Sequence, residues 1–256
     1  MIDIDGLFEN YFKKYIAENL GKMTEQQIED KIPEIYEAFG KTPQIELGGK
    51  TPEDYYRNFS DDDLVSELEN AVIKNGEVSD FLCKEIEKRS GISEKLVRLI
   101  SADGNEEVAT YAVNMLSGDL ESETLGGFVK ILTDKGTGES LAESLTEYLS
   151  GKAEKVKEYL IAEYSDCDSG KEYLVEIMSK TLPDDRIFNI LLDEFKNNRD
   201  NTALYANYLA AYGDDRAIPY LMDRIEESGI TYYDFKEIKN AIEELGGEYD
   251  GQFKKN

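Results

Sequence analysis

The chain has no histidine in 256 residues. That absence removes Ser-His-Asp and Cys-His nucleophilic catalysis, which need an imidazole as base. It also removes the common zinc sites, the HExxH metalloproteases and the His-carboxylate iron centres. Tryptophan is absent as well, which disfavours a carbohydrate cleft. Cysteine occurs twice. Cys83 lies in the apolar run FLCKEI and is expected to be a small buried hydrophobe, whereas Cys167 lies in the polar turn SDCDSG and is expected at the surface. No disulfide is expected between them, and such sparse cysteine suits a reducing compartment, so a cytoplasmic location is expected. No apolar run approaches the roughly 18 residues of a bilayer span, so no membrane association is expected. The opening MIDIDGLFENYF lacks the basic region and apolar core of a signal peptide.

Positive charge is also scarce. There are 29 Lys plus Arg against 55 Asp plus Glu, a formal net charge of −26. Binding a nucleic-acid backbone requires cationic neutralisation of phosphates, so no nucleic-acid partner is expected. Solubility explains such a surface first; a basic partner steered in by the field is the sharper reading. Hydrophobic residues make up 40% of the chain, enough for a folded core.

Apolar residues recur at helical spacing along nearly the whole chain, with no persistent strand alternation. The first sixty residues are less regular. Leu7, Tyr11, Tyr15 and Ile16 share one helix face, Thr24 caps a second helix, and Thr51-Pro52 opens another after the loop GKTPQIELGGK. From Asp61 onward the pattern repeats as about six helix pairs, each of roughly thirty residues. The tightest echo is Asp184-Asp185-Arg186 with Asp214-Asp215-Arg216, followed in register by Leu191 with Leu221 and Asp193 with Asp223. The expected architecture is all-α: an α-solenoid over 61–256, preceded by a divergent helical region over 1–60.

The stretch LAAYGDDRAIPYLMDRI, Leu209 to Ile225, resembles the HEAT-like repeat of the bilin-lyase type. Leu209, Gly213, Asp214, Arg216, Ala217, Ile218, Pro219 and Leu221 fall where that pattern places them. Val108, Ala112 and Leu116 of NEEVATYAVNMLSG match the packing positions of the family's second helix. The family often carries Arg directly after the valine, where this chain has Ala109. The resemblance implies a solenoid whose second helices line a concave side and, as an alternative function, a bilin-lyase-like enzyme or tetrapyrrole binder. No catalytic chemistry is unique to one position, which counts against that alternative.

The paired aspartates at 184–185 and 214–215 are read as helix starts, where carboxylates satisfy free N–H groups; a catalytic pair would be expected once, not twice. Pro219 is expected just beyond the first turn of the helix that follows. SDCDSGKE lacks the glycine and glutamate positions of a calcium loop, and TDKGTGES lacks the order of a phosphate loop. Neither a metal nor a cofactor is expected. Glu139, Glu143 and Glu147 lie one helical turn apart, on a different face from Leu141, Leu145 and Leu149. Glu172 and Glu176 extend this acidic stripe onto the equivalent helix of the next pair. A solvated face is its common explanation; docking a basic partner is the functional one. Tyr205 and Tyr212, on one face with Tyr208, are candidate aromatic anchors, with packing between repeats as the alternative. The function expected is therefore a non-enzymatic scaffold that binds a basic protein or peptide along an acidic concave surface. An immunity protein against a cationic toxin is a narrower form of the same reading.

Overall fold

The computed structural model describes residues 2–101 and 103–253. Among them the chain is helical throughout, and its one β-type pairing, Leu20 with Met23, is isolated. None of the helices among the described residues is long and apolar enough to cross a membrane. The chain divides into two compact units, Met1–Asp119 and Leu120–Asn256.

The first unit holds α1 (Ile4–Asn19), α2 (Glu25–Glu29), α3 (Ile32–Gly40), α4 (Pro52–Tyr55), α5 (Asp61–Asn75), α6 (Asp80–Glu87), α7 (Ser93–Leu96) and α8 (Glu106–Asn114). Side chains fix where these helices begin. Asp3, Thr24, Thr51, Ser60, Ser79 and Asn105 each accept from a free N–H of the first turn, the groups that a helix cannot satisfy internally. The core crosses position 60: Tyr36 of α3 stacks on Phe81 of α6 at 5.2 Å, and the fully buried Phe39 lies among Phe8, Tyr11 and Phe81. The segment ISEKLVRLISADG forms only α7 and a 3-10 turn, Val97–Leu99, instead of a full helix. No side chain caps its start, and β-branched Ile92, Val97 and Ile100 weaken helix propagation. Burial of Ile92, Leu96 and Ile100 holds it in place.

The second unit holds α9 (Ser122–Thr133), α10 (Glu139–Ser150), α11 (Ala153–Asp166), α12 (Lys171–Met178), α13 (Asp185–Asn197), α14 (Thr202–Tyr212), α15 (Ile218–Ile225) and α16 (Tyr232–Glu244). Neighbours in sequence pack as pairs: α9 with α10, α11 with α12, α13 with α14, and α15 with α16. Alternate helices pack too: α9 with α11, α10 with α12, α12 with α14, and α14 with α16. Polar links follow the same interval. Thr133 donates to Glu163 and Tyr164 to Glu194, each 30 residues apart; Arg186 donates to Glu158 and Arg199 to Glu227, each 28 apart; Tyr208 donates to Glu176, 32 apart. Arg224, itself buried, donates to the carbonyls of Phe195 and Lys196, which lie in the unsatisfied last turn of α13.

The two aspartate-arginine turns act as helix starts. Asp184 and Asp214 accept from the backbone N–H of Arg186 and Arg216 at 2.9 and 3.0 Å. Gly213 ends α14 with φ +80°, a conformation that side chains disfavour. Pro219 differs from its expected place. A 3-10 turn, Asp215–Ala217, intervenes, and α15 starts only at Ile218, so the proline sits inside the first turn, where a missing N–H costs nothing. Cys83 and Cys167 are both half-buried free thiols, so Cys83 is less enclosed and Cys167 less exposed than their sequence settings imply.

Candidate functional site

Leu141, Leu145 and Leu149 are buried on the inner face of α10. Their burial turns Glu139, Glu143 and Glu147 outward, and all three are exposed. On α12 the same role falls to Leu174, Val175, Ile177 and Met178, which are fully buried. Glu172 is exposed and Glu176 half-buried.

Packing of α10 on α12 brings the two sets of glutamates together. A groove of about 520 Å3 runs between them, with Glu143 and Glu147 on one wall, Glu176, Tyr173 and Lys180 on the other, and Thr146 and Ser150 along its course. The Tyr173 phenol is pushed up by burial and by the negative charges of Glu172, Glu139 and Glu143. Of the expected stripe, Glu143, Glu147 and Glu176 line the groove, and Glu139 and Glu172 act on its Tyr173. Among the described residues, none of the five forms an ion pair with Lys or Arg. Elsewhere in this unit Glu154, Glu158, Asp184, Asp185 and Glu227 are paired with cations. Lys180 is the single cation lining the groove.

The tyrosines of α14 occupy different places. Tyr205 and Tyr212, candidate anchors with packing as the alternative, are buried at 6% and 5% exposure. Tyr212 closes a link between helix pairs: its hydroxyl accepts from the Asp184 N–H at 2.5 Å and donates to the Asp184 carbonyl at 2.9 Å. Tyr205 packs edge-on to Tyr208, 5.9 Å between centroids, and its phenol is pushed up to about 12 by burial and by Glu194 and Glu172. Both are buried among their neighbours, which fits the packing alternative weighed for them. Tyr208 is half-buried and reaches the acidic helix, donating to Glu176 Oε2 at 3.2 Å.

Thr146, Ser150, Tyr173 and Lys180 are the groove residues that sequence reasoning missed. The signal was present: Tyr173 lies just before the buried set Leu174, Val175, Ile177 and Met178, and next to Glu172. No protein-family model, curated protein or solved structure matches the chain.

Proposed function

We propose that residues 120–256, a part of the span 61–256 expected as a solenoid, form a HEAT-like α-solenoid that binds a basic protein or peptide, without catalysis, in the groove between α10 and α12. The packing of alternate helices supports the repeat reading, because stacked helical hairpins bury their faces in that order. The links at intervals of 28 to 32 residues support it further. The similarity of Leu209–Ile225 to HEAT-like repeats fits the same arrangement.

One observation carries the functional reading: three glutamates without ion-pair partners, Glu143, Glu147 and Glu176, line one groove in a chain of net charge −26, and the charges of Glu139 and Glu172 act on its Tyr173. Unpaired carboxylates held by rigid helices are preorganised for ammonium and guanidinium groups, and the field of the chain raises the rate of encounter. Tyr173 and Tyr208 supply apolar area beside the charges. Two free thiols are compatible with the cytoplasm as the place of action. Charge reversal of Glu143 and Glu147 to lysine is the test: a basic partner captured by the wild-type chain should no longer be retained, and equal retention sinks the proposal.

A further inference from the structure

A second groove lies within residues 1–119, and its chemistry differs from the first. Ile32 and Pro33 open α3 and form one wall of a cavity of about 440 Å3 that is open to solvent along one side. Tyr36, one turn further along α3, and Tyr111 of α8 supply aromatic faces, and Val78 closes the apolar floor. The Tyr36 ring is fixed: it stacks on Phe81 and meets Phe8 edge-on at 4.8 Å. Ile32 remains 38% exposed, although it is a large apolar residue on a helix in a charged chain.

Three carboxylates, Asp5, Glu77 and Asp80, rim this apolar floor. No Lys or Arg lines it. Among the described residues none of the three forms an ion pair, whereas Asp54, Asp61 and Asp62 of the same unit each have a cation. Burial, and then the charges of Asp3, Glu77 and Asp80, push the Asp5 carboxyl up.

We propose that this groove accepts a lysine side chain of a partner protein. A lysine offers the two halves that the groove offers in complement: a four-carbon apolar stem for Ile32, Pro33, Val78 and the tyrosine rings, and a compact ammonium for the carboxylate rim. Aromatic faces add attraction for the same cation. The open side selects a residue on a larger partner over a free amine, because a small ligand binds well only when most of its surface is enclosed. The proposal does not depend on the groove in residues 120–256.

The test is an NMR titration of the full chain with an acetylated, amidated Gly-Leu-Lys-Leu-Gly peptide. A matched peptide with norleucine in place of lysine keeps the stem and removes the ammonium. The lysine peptide should move the ring signals of Tyr36 and Tyr111, and the norleucine peptide should leave them in place. Glu77→Gln with Asp80→Asn should weaken binding roughly fivefold. Glu77→Lys, a change at an exposed loop position, serves if that pair fails to fold, and should abolish the shifts. Glu143→Lys with Glu147→Lys should leave them unchanged, which separates this site from the other groove. Unmoved rings, equal shifts with norleucine, or undiminished binding by the Glu77 variants would overturn the proposal. So would tighter binding of spermidine than of the peptide, since the occupant would then be a free amine.

Discussion

Arg216 Nη1 stands 2.9 Å from Asp185 Oδ1 on the preceding first helix of a pair, while its Nη2 holds Asp214 in its own turn. Arg186 repeats the arrangement one pair earlier, bridging its own Asp184 to Glu158 of α11. The guanidinium of Arg216 also lies 4.3 Å over the Phe188 ring. Each arginine thus joins a helix start to the first helix of the preceding pair. The fold occupies these carboxylates, whereas Glu143, Glu147 and Glu176, which line the groove between α10 and α12, have no ion pair among the described residues.

The Asp184 carboxyl makes this pairing measurable. Its hydrogen bonds to Arg186 lower it from 3.8 to about 2. A group lowered on folding contributes stability that is fully present above 3.8 and lost as pH falls through about 2. An NMR titration should place the wild-type midpoint near 2, and Arg186→Gln should return it towards 3.8. A midpoint that ignores the substitution would show that the bridge does not form in solution.

Tyr212→Phe keeps the ring and removes only the hydroxyl that serves the Asp184 N–H and carbonyl. Leaving both without that partner should cost about 1–3 kcal/mol in urea unfolding. An unchanged midpoint would mean that the link contributes nothing.

Two glycines with positive φ should respond unequally to alanine. At Gly213, φ +80°, a Cβ meets nothing within 4 Å, so Gly213→Ala should cost about 1–2 kcal/mol from backbone conformation alone. At Gly170, φ +72°, the Cβ would stand 2.2 Å from the Leu132 carbonyl oxygen. Backbone must shift there, and Gly170→Ala should cost clearly more. Equal losses in parallel unfolding measurements would contradict the close approach of Gly170 to α9.

Lys180 sits in the acidic groove that a basic partner would enter. Lys180→Ala removes a like charge and should tighten that partner roughly threefold, most visibly at low salt. Weaker binding by this variant would place Lys180 among the contacts rather than the competing charges.

Much of this was legible in the sequence, for local reasons. Apolar spacing gives the helical class, and caps such as Thr24, Thr51 and Asp184 mark true starts because capping is decided within one turn. The leucine period of α10 was enough to turn Glu139, Glu143 and Glu147 outward. The tyrosines were not legible in the same way. Tyr205 and Tyr212 sit on α14, where Ala, Leu and Tyr surround the axis, so spacing does not separate an inner face from an outer one. The division between Asp119 and Leu120 depends on which helix faces meet at long range, and local pattern holds no record of that. The groove beside Tyr36 was hidden for the same reason: it joins Asp5, the start of α3, Glu77 to Asp80, and Tyr111, which are far apart in the chain.

The central claim is that the unpaired glutamates between α10 and α12 bind a basic partner. Its most direct test is capture from native lysate with the wild-type chain and Glu143→Lys with Glu147→Lys side by side, at about 50 mM and about 300 mM salt. The account predicts a basic protein held by the wild type at the lower salt, released at the higher, and never held by the variant. Capture of the same protein by both chains, or retention that salt does not weaken, would contradict it.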